Sequence, residues 1–447
     1  MRSISQVLVL ILLSGSAAMA EMQVELKDGR KLTIPFEQNE IAGITVDGKP
    51  MRLVDDNAPS RPSATAQQRA GASGLQAGLA TEQPTTENGR RILRVGPGRE
   101  FQLPSEAAAA AQDGDIVEID AGLYRGDVAG WPQNDIIIRA VGGDVHVDAA
   151  GRGFGDKGLW VVSGRNVTIE GIELSGCKVS DHNCAGVRAE GADLTLRDVH
   201  FHHNEMGLLV SQDFTGNLLI DRSEFNDNGV DYESYGIQPG HNIYMGRGGR
   251  LTVQGSYIHN PIAGHNIKSR ADETVILYNR IEDGEGGNGS YQIDISEGGK
   301  VLIEGNIIRQ GPLADNHSII AFGAESSNRA NSSLELIHNT IINDFGTGIF
   351  LRNDSPVVAT VVNNLFLGAG ELTIGAADEA GNVRVDEAMS LAAIAKSGIG
   401  VDKGVEPGTV SGFTTLPKWE YLDPRQIEPR PVIGAGPDAG AHEQGPR

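Results

Sequence analysis

From Val167 onward, apolar and polar residues alternate with a period of two through short segments that recur along the chain. They read VTIEGIEL, LTLRDVHF, LLIDRSEF, LTVQGSYI, TVILYNRI, VLIEGNII, LELIHNTI and ATVVNNLF. This period predicts β-strands, because successive side chains leave opposite faces of a strand. The last residues form one column, Leu174, Phe201, Phe225, Ile258, Ile281, Ile308, Ile341 and Phe366, with steps of 27, 24, 33, 23, 27, 33 and 25 residues. Such a unit, with uneven insertions, predicts a parallel β-solenoid in which coils stack and loops absorb the differences in length. Two positions earlier, Asn279, Asn306, Asn339 and Asn364 share a column. Stacked amides can bond coil to coil, so these asparagines are assigned a structural role.

Each coil carries a second strand, in the segments AGVRAEG, MGLLVSQ, HNIYMGR, HNIKSRA, YQIDISE, HSIIAFG and TGIFLRN. Aligning them turns Val187, Leu208, Ile243, Ile267, Ile293, Ile319 and Ile349 inward. The following residues then face outward: Arg188, Leu209, Tyr244, Lys268, Asp294, Ile320 and Phe350. Stacked strands lie about 4.8 Å apart, so Tyr244, Lys268 and Asp294 are expected as neighbours on one outer face. Two residues further along, Glu190, Arg270 and Arg352 are expected to face out. His241, His265, Tyr291 and His317 are expected in one column where the strands begin, with Arg247 and Glu297 at the turns where they end.

The rest of the chain frames this repeat. Residues 1–20 combine Arg2, the apolar run VLVLILL and the small-residue end AMA, which predicts a cleaved secretory signal and a secreted or periplasmic protein. That run is too short to span a bilayer. Residues 21–54 predict a small β piece with a hairpin around Asp28 and Gly29, and residues 55–90, rich in Pro, Ser, Ala, Thr and Gly, predict a flexible linker. SEAAAAAQ predicts a short helix, capped by Ser105, over the first coil of a solenoid spanning 91–375. Residues 376–447 are expected to pack on or cap the solenoid. The segment Gly229 to Gly240 adds Tyr232, Glu233 and Tyr235 beside the polar face.

Charge and cysteine content narrow the partners. A formal net charge of −22 argues against nucleic acid or an anionic membrane. It leaves room for a polyanion where cations gather, as Arg188, Arg247, Lys268 and Arg270 do in the aligned strands. The only cysteines, Cys177 and Cys184, sit in GCKVSDHNCAG; in an oxidising compartment a loop-closing disulfide is favoured. Metal binding through the same pair with Asp181 and His182, or two free thiols, are the other readings. We expect a monomer.

The spacing and the asparagine column resemble the right-handed parallel β-helix proteins of the pectate-lyase-like superfamily, over roughly residues 92–375. The ending GAGPDAGAHE is similar to the tail of such secreted proteins. This resemblance implies an all-β, single-stranded right-handed parallel β-helix. That superfamily hosts lyases, hydrolases, epimerases and adhesins, so the site must decide among them. NIKSR is similar to the lysine-bearing NKS region of β-helical alginate and dermatan lyases, which implies Lys268 as the base.

A lyase acting beside a uronate needs a base, a cation for the carboxylate and a proton donor for the leaving oxygen. Lys268, Arg270, Tyr244, His265 and Asp294 supply those types and are the catalytic candidates. His241, Arg247, Arg188, Glu190, Tyr291, Glu297 and His317 are the candidates for holding an anionic polysaccharide. The lyases of the resemblance hold calcium just upstream of their lysine, where NPIAGHN offers no acid; Asp294 and Glu297, with Asp272 and Glu273, form a different possible Ca²⁺ ligand set. A glycoside hydrolase would need two facing carboxylates, from Asp294, Glu297 and Glu325. A uronate epimerase would share the first step of a lyase. A non-catalytic glycan-binding or scaffold solenoid would use the same polar columns as a track.

Overall fold

The computed structural model describes residues 86–444 apart from 231–235, 237–238, 285, 327–328 and 411, together with short strands between residues 13 and 50. Among the latter, Ala20–Glu25 pairs antiparallel with Lys31–Phe36. This is the hairpin expected around Asp28 and Gly29. Most of the signal segment, residues 55–85 of the linker, and Tyr232, Glu233 and Tyr235 lie outside the described residues.

The main unit is a stack of parallel coils. The repeat segment that alternates in sequence is not one strand but two, joined at a sharp bend. In successive coils the pairs are Arg165–Glu170 with Ile172–Ser175, Ala192–Arg197 with His200–His202, and Thr215–Asp221 with Glu224–Asn226. The bend residue has a positive φ in every one of these coils, at Gly171, Asp198 and Arg222, and again at Tyr278, His338 and Asn363. One left-handed residue shifts the inward phase by one position and turns the chain through a corner. Alternation on either side hides that slip, which is why the sequence reads as one longer strand.

The corner leaves one residue per coil whose N–H must reach the next coil. The side chains of the expected column accept these bonds. Asn279 N–H donates to Asn306 Oδ1 at 2.9 Å, Asn306 N–H to Asn339 Oδ1 at 3.0 Å, and Asn339 N–H to Asn364 Oδ1 at 2.9 Å. The same column begins earlier with serines: Ser223 N–H donates to Ser256 Oγ, and Ser256 N–H to Asn279 Oδ1. A second buried ladder runs along another corner, Asn228 to Asn242 to Asn266 to Gln292, through amide bonds of 2.9, 2.8 and 2.7 Å. The Asn of each HNI triplet is therefore a structural rung. The aliphatic residue after it, Ile243 or Ile267, is fully buried in the core.

A ten-stranded parallel sheet forms the remaining face, ordered from Ala129–Trp131 at one edge to Glu371–Ile374 at the other. A helix, Pro104–Ala110, covers the edge at Ala129–Trp131, with Gln133 Nε2 donating to the Ala108 carbonyl at 2.8 Å. Covering that edge protects unpaired strand groups from a second chain. The helix starts one residue before the expected Ser105 cap. Leu103 is the cap residue and Pro104 opens the helix, because proline needs no N–H bond there. The Ser105 N–H goes to Asp127 instead.

Parallel pairing extends to Val383–Val385. The last segment then crosses the coils lengthwise. Asp423 pairs with Arg280 at 3.0 Å, the Lys418 N–H reaches the Tyr278 hydroxyl, and the Asp438 carbonyl meets His338 Nδ1 at 3.0 Å.

Replacing Asn339 by alanine strands the Asn306 N–H in a dry interior. It should cost about 2 kcal/mol, whereas exposed Glu379→Gln should stay within about 0.5 kcal/mol. Urea unfolding of the two variants against the parent measures the difference.

Candidate active site

Three consecutive rungs of the ten-stranded sheet build the site. Ile243–Met245, Ile267–Ser269 and Ile293–Ile295 pair in register, setting Tyr244 opposite Lys268 and Lys268 opposite Asp294. Inward neighbours fix each side chain's direction, since Ile243, Ile267 and Ile293 are buried and the next residue must point out. The expected line of phenol, amine and carboxylate is thus present in the structure.

The column continues differently from expectation. Asp294 is followed by Ala321 and then Arg352, rather than by Ile320 and Phe350. Ser318–Phe322 is buried along its whole length, and Ile320 and Phe350 are fully buried. A continuous apolar run carries no alternation to set its phase, so sequence alignment places it one residue out. His317 therefore leaves the histidine column and packs on Phe345 with ring centroids 4.8 Å apart. Arg352 joins the Lys268 column instead of lying beside Arg270, and it pairs with Asp354 at 2.8 Å.

His241, His265 and Tyr291 do stack, with centroid separations of 4.7 and 5.0 Å. Close approach of the backbone helps set this stack: a Cβ on Gly264 would come 1.5 Å from the Gly240 carbonyl oxygen. The backbone also fixes the ring tautomers. His265 N–H donates to His241 Nδ1 at 3.0 Å, and Tyr291 N–H donates to His265 Nδ1 at 3.2 Å. Each Nδ1 is thus an acceptor, so the hydrogen of the neutral ring sits on Nε2. Burial, with the positive charges of Lys268 and Arg270 added, pushes His265 down to about 3. Burial likewise drives His241 well below the usual histidine range. Both rings are neutral donors, and neither is a base at neutral pH.

Lys268 is 9 % exposed, and its Nζ lies 3.0 Å from Asp294 Oδ2 and 2.7 Å from Glu325 Oε1. Asp294 is 2 % exposed; Ser296 Oγ donates to its Oδ2 at 2.7 Å, and its Oδ1 has no hydrogen-bond partner. Burial raises the Asp294 carboxyl above the usual carboxylate range, against the pull of Lys268. Arg270 donates to the Tyr244 hydroxyl and to Glu325 Oε2, with its guanidinium 5.2 Å from the Tyr244 ring centre. Glu325 thus bridges the two cations from a turn, with its side chain 43 % exposed. Burial works against its charge, but hydrogen bonds from Lys268 and Arg270 hold its carboxyl below the usual range.

The cations are therefore not a bare positive patch. Arg247 makes a two-pronged pair with Glu297, both contacts 2.9 Å, and those bonds hold the Glu297 carboxyl below its usual range. Arg329, which sequence reasoning passed over, adds a 3.3 Å contact to Glu297. Arg188 lies 3.6 Å from Glu190, which also accepts from Lys157 at 2.7 Å. Glu297 is committed to guanidinium groups and Asp294 to an ammonium and a hydroxyl. Asp272 leans towards Arg329 at 3.5 Å and Glu273 towards Arg250 at 3.7 Å. This donor set does not fit the Ca²⁺ ligand set read from the sequence.

A cleft of about 480 Å³ opens over these groups, lined by Arg188, His241, Tyr244, Lys268, Arg270 and Glu325. Asp181, His182 and Asn183 form part of its wall. They belong to the loop closed by the Cys177–Cys184 disulfide, the favoured sequence reading. His182 serves the wall by meeting Glu205 at 3.2 Å rather than by binding metal with the sulfurs. Glu325 carried no periodic signal in the sequence, since it follows the run whose phase was ambiguous.

Comparison with known proteins bears on the fold. A family model described as "Right handed beta helix region" matches residues 239–388. The crystal structure of pectate lyase Pel9A superposes with a TM-score of 0.53 at 17% identity, covering 80% of this chain and 98% of that one. The crystal structure of an alginate lyase from Paenibacillus sp. str. FPU-7 matches with a TM-score of 0.39 at 16% identity, covering 64% and 98%. No curated protein sequence matches the chain. The chain has the right-handed parallel β-helix fold. Among the described residues no helix is long and apolar enough to cross a membrane.

The neutral His265 has a measurable signature. Its folded-state pKa of about 3 lies far below the ordinary 6.5, so between these values the unfolded chain binds a proton that the folded chain refuses. Stability from this ring is present above pH 6.5 and is lost as pH falls towards 3. Thermal midpoints of His265→Gln should therefore fall less steeply than the parent's between pH 6.5 and 5; parallel profiles would contradict the assignment.

Proposed function

We propose that this β-helix is a polysaccharide lyase acting outside the cytoplasm, cleaving a uronate-containing polymer by β-elimination in the Tyr244–Lys268–Asp294 cleft. The observation that carries the reading is the position of Glu325. A carboxylate on an exposed turn bridges Lys268 and Arg270, where the carboxylate of a bound uronate would sit. An acidic sugar displaces Glu325, transfers its own carboxylate to Arg270 and leaves Lys268 facing the carbon next to that carboxylate.

Proton movements then follow the contacts. Lys268 Nζ gives a proton to Asp294 Oδ2, 3.0 Å away, producing a neutral amine and a neutral carboxyl. Burial favours the neutral carboxyl in this exchange, because it raises Asp294 above the usual carboxylate range. The freed lone pair takes the proton from the carbon α to the carboxylate. Arg270 stabilises the charge that develops on the carboxylate oxygens. The Tyr244 hydroxyl protonates the departing glycosidic oxygen as the carbon–oxygen bond breaks and the carbon–carbon double bond forms. His241 and His265 hold their neutral Nε2–H groups in the floor of the site. The disulfide in the cleft wall supports an oxidising compartment.

Incubation with alginate, pectate, glucuronan and chondroitin should give, with one of them, the ultraviolet absorbance of an unsaturated product. Lys268→Ala and Asp294→Asn should each lower kcat by about 10³-fold with little change in binding. Glu325→Gln should lower KM, since the internal competitor has lost its charge. Binding of a polymer without any unsaturated product, weakened in steps by each of Arg188, Tyr244, Lys268 and Arg270 to alanine, would replace this reading with a non-catalytic glycan track.

A further inference from the structure

A second set of chemically distinctive side chains lies away from the cleft, on the short strands that follow the corner bends. Five of the eleven histidines stand here: His146, His200, His202, His203 and His259. The strands Val145–Asp148, Ile172–Ser175 and His200–His202 are in register, which places His146 beside Glu173 and Glu173 beside His200. His202 lies in the next outward column, level with Ser175. The repeat in the sequence marks these strands by their apolar members, Leu174 and Phe201, and leaves the polar groups between them unmarked.

Geometry here departs from that of an ordinary hydrated face. His202 Nε2 lies 2.7 Å from Glu173 Oε1, and His146 Nδ1 lies 3.4 Å from the same oxygen. One donor atom from each of His146, Glu173 and His202 falls within 4.8 Å of the others, and this is the one such triad of metal-capable groups among the described residues. Ligands about 2.1 Å from a tetrahedral ion stand about 3.4 Å apart, so modest side-chain movement would close the triad on an ion. The far nitrogens are already occupied. His146 Nε2 meets Ser175 Oγ at 2.7 Å, and His202 Nδ1 meets His203 Nδ1 at 2.8 Å. In the ion-free chain the 2.7 Å contact is a hydrogen bond from His202 Nε2–H to Glu173; with its hydrogen moved to Nδ1, towards His203, the ring offers its Nε2 lone pair to an ion in place of that bond. This outer-partner arrangement orients imidazoles for metal binding.

We propose that His146, Glu173 and His202 form a binding site for one divalent transition-metal ion of the zinc type, with Ser175 and His203 as positioning residues. Two imidazoles and one carboxylate suit borderline ions and not calcium, which seeks several oxygens. The three ligands are half-buried, so the remaining coordination positions of the ion face solvent and hold water. The site spans three successive coils and clamps them together as it binds. It shares no residue with the cleft and does not depend on the lyase reading.

Calorimetric titration of the chelator-treated full chain with zinc chloride tests it. One saturating ion per chain is expected, with affinity lowered at least about 100-fold in Glu173→Gln and His202→Ala and about 10-fold in His203→Ala. Cobalt(II) should show visible absorption bands that Glu173→Gln abolishes. Glu173→Gln preserves side-chain shape, so matching circular dichroism keeps the test valid should His202→Ala misfold. Lys268→Ala should bind zinc as the parent does. Absence of saturable zinc binding, or binding unchanged in Glu173→Gln, would overturn the proposal.

Discussion

A chain can be wound into parallel coils only where each corner satisfies the backbone groups that its bend turns out of the strand ladder. Here a residue with positive φ makes the turn, and the next residue's N–H is received by a side-chain oxygen of the following coil. Buried N–H groups without acceptors cost about 1–3 kcal/mol each, so this relay sets the limit on stacking. It also fixes the vertical register. With corners pinned at one level, the outward residues of the adjoining sheet meet rung against rung, and Tyr244, Lys268 and Asp294 become neighbours through no interaction of their own.

Site chemistry follows from what this pinning places near one buried aspartate. Asp294 has an ammonium on one side and a neutral imidazole 3.6 Å away on the other. Backbone donors hold the imidazoles in a single tautomer, which removes them as proton acceptors and leaves amine, phenol and carboxyl as the groups able to exchange a proton. The surrounding arginines are matched by Glu297, Glu190 and Glu325, so the cleft's charge is balanced internally within a strongly acidic chain.

Legibility of these features in the sequence tracked the strength of alternation. The coil repeat, the asparagine column and the register of Tyr244, Lys268 and Asp294 are readable, because each sits near a recurring inward aliphatic position. Corner bends were not readable, since one left-handed residue among alternating neighbours leaves the overall pattern intact. Positions from His317 to Phe350 were misphased because Ile319, Ile320, Ala321 and Phe322 are apolar on both faces. Glu325 and Arg329, which complete the ion-pair network, come from a turn beyond that stretch and follow no period at all. The imidazole cluster at His146 and His202 is hidden for the opposite reason: it lies on the outer side of strands whose repeat marks only the core side.

The final segment, lying across the coils from Tyr278 to His338, has a consequence for how the molecule is made. A stack of coils can grow one layer at a time as the polypeptide emerges, each layer resting on the one before. The lengthwise arm is synthesised after the layers it crosses, and it bonds to layers laid down more than a hundred residues earlier. Assembly is therefore local until this arm arrives and ties distant layers together. Fraying of the coils must first undo that tie, so the segment that follows the coils also guards them.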